Sequence, residues 1–197
     1  SAASDVYKRQ ALALMMGSFA QAQNNDGIKV AIDLNDIKDD KVLVTVTPEP
    51  IKAKTITYYI PKTVPGTYST DNYGQFIEGL KAYDKKGKEL PVTKGDVNSW
   101  KIEKANKLAK ITYLVNDSFD NEKGKEDPVF SPSGTNILAG KNIMLNTHGF
   151  VGYFDGFTET PYTVNITHPA ELWGASSMTD LDQSNTTDQF KVGRYLE

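Results

Sequence analysis

Apolar and polar residues alternate along much of the chain with a period of two. Every second residue is apolar in Ile28–Leu34, and the same alternation recurs in Lys41–Thr47 and in Thr55–Ile60. Successive side chains of a strand point to opposite faces of the sheet, so this pattern predicts β-strands with one buried face. The polar turn 35–40 joins the first two segments, which are therefore predicted to form an antiparallel pair with one solvated face.

The alternation continues beyond a corner at Pro65-Gly66. A strand is predicted from Gln75 to Tyr83, and the hairpin turn Asp84–Gly87 ends it. Four more strands and one weaker candidate are predicted at Trp100–Ile102, Lys110–Val115, Tyr162–Thr167, Gln189–Val192 and, as the candidate, Trp173–Met178. Beyond the N-terminal segment there is no heptad, no solenoid period and no strong 3.6-residue pattern. The fold class predicted is all-β, an antiparallel β-sandwich or curved-sheet domain.

Two segments do not read as strands. Residues 117–132 are rich in Asp, Glu, Lys, Asn and Gly, and predict a long exposed loop of the kind that is usually functional or disordered. Residues 149–157 interleave glycines with aromatic residues. They have two interpretations: a sugar-stacking or peptide-facing surface, or a glycine-punctuated turn that buries Phe150, Tyr153 and Phe157.

Composition and charge narrow the class of protein. The 197 residues suffice for about one domain with a core that needs no disulfide. The formal net charge is −3, and lysine and arginine form no basic stripe along the sequence, which argues against a nucleic-acid or anionic-membrane partner. The absence of cysteine excludes a disulfide framework, a thiolate metal site, a cysteine nucleophile and a lipid-modified N-terminal cysteine.

Residues 8–23 have the layout of a secretory signal peptide. A basic pair precedes a short apolar run that ends in the A-x-A cleavage pattern Ala20-Gln21-Ala22. We predict a signal peptide over residues 1–22, of which 1–7 are an assembly artefact, and a mature domain over 23–197. The alternative is a short amphipathic helix. An exported protein without cysteine fits a bacterial periplasm or the extracellular space, and the apolar run is too short to predict a membrane span.

The chain carries no complete catalytic motif. Neither of the two histidines, His148 and His168, has a partner at the spacing of an HExxH zinc helix. A G-x-S-x-G elbow, a phosphate-binding glycine loop and a dinucleotide fingerprint are also missing from the sequence. Paired carboxylates for glycoside hydrolysis need no local pattern, so the sequence leaves that possibility open. We assign no catalytic residue and no metal ligand.

Several motifs, in a fixed order, resemble one family of enzymes. They are the corner Pro65–Tyr68, the hairpin Leu80–Leu90 with the following Pro-Val, and the strands Ser99–Ile102 and Ile111–Val115. Together they resemble the N-terminal β-domain of the glycyl-aminopeptidase-type zinc metallopeptidases (metallopeptidase family sixty-one), whose members often carry a PDZ domain. Later segments continue the resemblance, which covers roughly residues 26–197: Asn142–Gly149, Tyr162–Trp173 and Phe190–Glu197.

Two departures from the family pattern concern the corner. Thr67 stands where the family usually has serine, which is a mild change. The run Asp71–Gly74 lacks the basic residue expected there, so any substrate-orienting role of that position in relatives is in doubt for this chain.

The resemblance implies a thermolysin-like catalytic domain with an HExxH zinc site and a downstream glutamate ligand, neither of which is in this chain. The chain is then expected to be catalytically inert by itself and to bind no cofactor of its own. Zinc is expected in the missing catalytic domain, and the chain is expected to end just before that domain. Its partners would be the catalytic domain of the same polypeptide and the peptide substrate. The residues expected to face that substrate are Tyr68, Asn72, His148 and Tyr153.

Two other functions stay open from the sequence. The first is a stand-alone periplasmic or surface β-sandwich that binds glycans or peptides through the aromatic residues of 149–157. The second is a structural module of an outer-surface assembly, with neither a ligand nor an enzymatic partner. The three hypotheses differ in one cheap observation, the reading frame beyond Glu197, where only the first expects an HExxH motif.

Overall fold

The alternating segments form strands of packed sheets in the computed structural model, which describes residues 27–120 and 122–196. The predicted signal peptide and cleavage site lie outside the described residues. The strands are β1 (Ile28–Lys38), β2 (Lys41–Thr47), β3 (Thr55–Tyr59), β4 (Ile77–Asp84), β5 (Glu89–Leu90), β6 (Val92–Lys94), β7 (Ser99–Glu103), β8 (Leu108–Asn116), β9 (Asn136–Leu138), β10 (Asn142–Met144), β11 (Tyr153–Phe154), β12 (Tyr162–Thr167) and β13 (Thr187–Val192). The helical elements are short: α1 (Glu122–Glu126), α2 (Thr147–Phe150) and the 3₁₀ turns Tyr73–Phe76, Ala105–Lys107 and Ser131–Ser133.

A seven-stranded sheet has the order β13-β12-β1-β2-β8-β4-β5. Its register aligns the apolar positions of neighbouring strands, because Val30 faces Val46 on one side and Val164 on the other. The pairing of β1 with β12 is parallel, whereas the other pairs of this sheet are antiparallel. The sheet is therefore mixed, whereas the sequence analysis predicted antiparallel strands only.

A four-stranded sheet, β11-β3-β7-β6, packs on the large one, and β9 and β10 form a separate hairpin. Tyr58 of β3 and Tyr113 of β8 are both buried, and their hydroxyl oxygens lie 2.8 Å apart across the core. The inner faces of the two sheets thus share one core, as in a β-sandwich. The all-β class is confirmed.

The predicted strands match the observed ones closely where the alternation is clean. β2 and β12 have the predicted bounds, and the turn after β4 holds Gly87 at φ 77, a left-handed conformation that glycine adopts without steric cost. The candidate strand Trp173–Met178 is wrong, since the structure has no strand there. Trp173 is 87% exposed, so its indole is not packed into the core.

The predicted loop 117–132 is exposed at most of its described residues, as expected, but the prediction is wrong at Asp117 and Val129. Asp117 is buried, and its carboxylate accepts hydrogen bonds from the backbone N–H groups of Phe119 (2.6 Å) and Ile137 (2.5 Å). Val129 is buried as well, and α1 lies between them. A buried carboxylate that accepts backbone hydrogen bonds fixes the path of the loop, because leaving those groups unpaired would be costly.

The described residues contain no helix of the length and apolar character that crossing a membrane requires.

Candidate functional site

Four tyrosine hydroxyls hold the buried backbone of residues 150–152. Tyr113 donates to the carbonyl of Phe150 (2.6 Å), and the N–H of Gly152 donates to the hydroxyl of Tyr58 (2.9 Å). The remaining two, Tyr162 and Tyr195, donate to the carbonyls of Gly152 (3.4 Å) and Val151 (2.7 Å). We call these four side chains the tyrosine clamp. It satisfies backbone groups that would otherwise be buried without a partner, so this segment is rigidly placed.

The clamp also changes the acidity of its own members. Burial raises the pKa of Tyr58, Tyr113, Tyr162 and Tyr195, because a phenolate would lose its hydration inside the core. The hydroxyls therefore stay protonated well above the pH at which a free tyrosine ionises.

The aromatic segment 149–157 lies in the structure as a packed turn. Phe150 and Phe154 are fully buried, and half-buried Phe157 meets the Phe154 ring edge-on at a centroid distance of 6.4 Å. Half-buried Tyr153 stacks on Tyr59 at 5.3 Å. This is the arrangement of the second interpretation, a glycine-punctuated turn, and the rings do not form an exposed platform.

A second group of loops meets around Asp71, which is 2% exposed. One oxygen of its carboxylate accepts hydrogen bonds from Ser69 Oγ (2.5 Å) and from the backbone N–H of Phe130 (3.0 Å). Its backbone carbonyl accepts another from Gln75 Nε2 (3.0 Å). Asp71 thereby fastens the corner to a loop that lies almost sixty residues further along the chain.

Tyr73 brings a third segment to the same place. Its buried hydroxyl lies 3.2 Å from Asp71 Oδ2 and 3.3 Å from the carbonyl oxygen of Ser133. A Cβ atom on Gly149 of α2 would lie 3.6 Å from the ring of Tyr73 and 3.8 Å from Thr135 Oγ1. Burial is the main cause that raises the pKa of Tyr73. The corner 61–72, the turn Tyr73–Phe76, the loop 127–135 and α2 form one unit, which we call the loop cluster.

Three of the four residues predicted to face substrate belong to the loop cluster. Tyr68 lies on the corner and is 99% exposed. Asn72 begins the turn Tyr73–Phe76, and its side-chain oxygen accepts a hydrogen bond from Asn98 Nδ2 (3.0 Å). His148 is exposed on α2, and partial desolvation of its ring lowers its pKa. The structure places Tyr153 elsewhere, on β11, between the rings of Tyr59 and Tyr195.

Tyr68 also has an unusual backbone. Its φ of 57° lies in the left-handed region, which costs a residue with a Cβ roughly 1–2 kcal/mol. Asn72, with φ 49°, shares that conformation but is a residue type that tolerates it well. Strain of this kind in an exposed aromatic residue is a reason to look for a binding role.

The two histidines lie apart from any cluster of potential metal ligands among the described residues. In 27–120 and 122–196 no three side chains of the metal-ligating types come together. His168 is buried, with Nδ1 3.0 Å from the carbonyl of Pro169 and Nε2 3.6 Å from Asp188 Oδ2, so it lies in a structural pair apart from His148.

Sequence reasoning missed the residues that assemble the loop cluster. The sequence places Asp71 only in a run that lacks a basic residue, and Phe130 only in the predicted loop 117–132. Their contacts join residues about sixty positions apart, a separation at which a single sequence carries no local signal. The proline that starts the turn Ser131–Ser133 indicated a turn, but not its partner.

The fold and the loop cluster define a β-sandwich domain that presents a loop surface at one end of its large sheet. A family model described as the peptidase M61 N-terminal domain matches residues 29–197, and the chain belongs to this family. The resemblance drawn from the corner and the strands that follow it is thereby confirmed.

One solved structure shows the same fold. An aminopeptidase N family protein from Idiomarina loihiensis superposes with a TM-score of 0.70 at 20% sequence identity, over 85% of this chain and 27% of the other. An M1 zinc metallopeptidase from Deinococcus radiodurans gives a TM-score of 0.35 at 13% identity, over 83% and 37%, which is too low to carry an argument. This chain thus spans about a quarter of the length of the Idiomarina protein. A comparison with curated proteins finds no match.

Proposed function

We propose that this chain is the non-catalytic N-terminal β-domain of an exported zinc aminopeptidase, and that its loop cluster lies beside the substrate cleft of the catalytic domain. Family membership supports the enzyme class, and the signal-peptide pattern of residues 8–23 supports export. The observation that carries the location is Tyr68, an aromatic residue with a strained backbone and a fully exposed side chain on a rigidly anchored loop.

Three exposed apolar side chains lie in the loop cluster or directly after it in sequence, and we include them in the proposed contact surface. Phe130 is 45% exposed, and its backbone is bound to Asp71, three residues from Tyr68. Leu138 and Met144 are 50% and 61% exposed and lie on one face of the β9–β10 hairpin, which directly follows the loop cluster. Apolar groups exposed together in this way mark sites where another protein surface packs. The catalytic domain of the same polypeptide is the partner we propose.

The catalytic domain and this chain would have different roles. The zinc ligands and the group that activates water would come from the catalytic domain. The residues of this chain would position the peptide, exclude water and wall the cleft. Tyr68 suits that role because a tyrosine offers a large apolar face together with a hydroxyl that donates or accepts a hydrogen bond.

Removing the Tyr68 side chain tests the proposed location. In the full-length protein encoded by the gene, Tyr68→Ala is expected to lower kcat/KM for peptides about tenfold, the effect of losing about 1.4 kcal/mol of binding energy. KM should carry most of the change, and zinc content should stay the same.

Trp173→Ala is the matched control, because Trp173 is another exposed aromatic residue but lies on the β12–β13 connection. It should leave kcat/KM unchanged. Equal losses in the two variants, or no loss in Tyr68→Ala, would place the cleft elsewhere. A stand-alone surface domain that binds glycans or peptides becomes the better account if the gene encodes no catalytic domain.

A further inference from the structure

An open groove of about 790 Å³ lies at the far end of the large sheet from the loop cluster. Strand β8 begins in the groove at Leu108 and ends at Asn116, whose side-chain nitrogen donates to the carbonyl of Phe76 in the loop cluster (3.0 Å). At about 3.3 Å per residue, the nine residues of β8 separate the two surfaces by about 26 Å. The groove is thus a different surface from the one proposed to face the substrate.

The floor of the groove is apolar and its rim is basic. Pro48, Pro50 and Ile51 lie on one side, and Leu108 and Ala109 lie at the start of β8. The rim carries three exposed lysines, Lys85, Lys86 and Lys107. The volume falls within the range of roughly 300–1,000 Å³ that ligand pockets occupy.

The three lysines come from two turns that are distant in sequence. Lys85 and Lys86 lie in the hairpin turn after β4, and Lys107 ends a 3₁₀ turn before β8. No ion pair within 4.0 Å involves any of the three in the part of the chain that the structure describes. Lys107 lies far from Lys85 and Lys86 in the sequence, and only folding brings the three together. The sequence analysis therefore found no basic stripe.

The acidic group of the rim does not neutralise the lysines by direct contact. One oxygen of Asp84 accepts hydrogen bonds from the backbone N–H groups of Lys86 (2.8 Å) and Lys88 (3.0 Å), which closes the hairpin turn. Those bonds, with that from Lys88 first, hold the pKa of Asp84 below its usual range. The lining therefore carries three positive charges against one negative charge, that of Asp84, whose attraction to Lys86 also lowers its pKa.

We propose that this groove binds an extended acidic segment of a protein, with aliphatic side chains on the proline and leucine floor and carboxylates at the lysine rim. Charge complementarity favours such a partner, and the protein as a whole is acidic, so the groove is a local exception. A nucleic acid fits less well, because the described lining has no aromatic ring for base stacking and only three cations. A membrane surface fits less well, because the apolar groups lie in a recess rather than on an amphipathic helix face.

Binding of a labelled peptide with alternating leucine and glutamate tests the proposal on the 197-residue chain. We expect saturable binding that weakens as salt is added, since exposed charges are screened. The variant Lys85→Glu/Lys86→Glu/Lys107→Glu should lose affinity about tenfold or more, because three favourable charge contacts become repulsive. A peptide with glutamine in place of glutamate should bind much more weakly.

The matched control is Lys101→Glu/Lys141→Glu/Lys191→Glu, which makes the same change in net charge at three exposed lysines outside the groove. It should keep the affinity of the unaltered chain. Equal losses of peptide affinity in both triple variants would show that the overall charge of the protein, and not the groove, determines binding, and would overturn the proposal. So would the absence of peptide binding, or a clear preference for single-stranded RNA or phosphatidylserine vesicles over the peptide.

Discussion

Substitution of Gly152 by alanine is expected to lower the free energy of unfolding by about 3 kcal/mol, the upper part of the range for overpacked cores. A Cβ atom at this position would lie 2.1 Å from the carbonyl oxygen of Tyr59 and 2.7 Å from Cζ of Tyr58. Neither atom can move freely, because Tyr59 lies in β3 and Tyr58 is held by the clamp. The backbone would have to shift, and the hydrogen bond from Gly152 to Tyr58 would weaken with it.

Urea unfolding followed by circular dichroism measures this loss, and Gly149→Ala is its control. A Cβ on Gly149 would make ordinary contacts, with its nearest neighbour 3.6 Å away, and the residue lies in α2, where alanine is favoured over glycine. The control should therefore change stability little or raise it slightly. A Gly152→Ala protein as stable as the control would show that the clamp does not hold residues 150–152 as described.

Above about pH 10, the protein is expected to lose stability steeply because its buried tyrosines resist ionisation. Burial raises the pKa of the four clamp tyrosines. Beyond the pKa of unfolded tyrosine, the unfolded chain has therefore released protons that the folded chain still binds. A tyrosine whose pKa is higher in the folded than in the unfolded chain stabilises the fold fully below about pH 10, and this stabilisation is lost as the pH rises further. Each such group lowers the free energy of unfolding by about 1.4 kcal/mol per pH unit, so the four together approach a loss of about 5.5 kcal/mol per unit.

The free energy of unfolding at a series of pH values tests this expectation, together with the phenolate absorbance of the folded protein. Tyr113→Phe is the informative variant, because it removes one of the titrating hydroxyls. It should make the fall of the free energy of unfolding with pH shallower by about 1.4 kcal/mol per pH unit, the effect of one proton. Stability that stays level well above pH 10 would contradict the account. So would phenolate absorbance from every tyrosine of the folded protein near pH 10.

Strands could be predicted from the sequence because the period of two is a local signal. The clean alternation of β2 and β12 predicted their bounds, and the same rule failed at 173–178, where Trp173 is 87% exposed and the structure has no strand. The parallel pairing of β1 with β12 could not be predicted from the sequence. It joins Val30 to Val164 across most of the chain, and the alternation is the same whichever direction the neighbour runs.

The candidate site was predictable only in its exposed parts. The corner stood out because proline and glycine mark turns, and Tyr68 and Asn72 lie in the same segment, 61–72. The contacts of Asp71 with Phe130, and the meeting of Lys85 with Lys107, depend on the tertiary fold. Tyr153 was predicted to face the substrate together with Tyr68, Asn72 and His148, whereas stacking on Tyr59 holds it outside the loop cluster.

The most direct test of the account is chelator-sensitive release of glycine or alanine from dipeptide substrates. It is measured side by side on the 197-residue chain and on the full-length protein encoded by its gene. We expect no zinc-dependent release by the chain alone, and release by the full-length protein that a chelator abolishes and added zinc restores. Chelator-sensitive release by the chain alone would contradict the account, as would a gene that encodes no HExxH motif after the codon for Glu197.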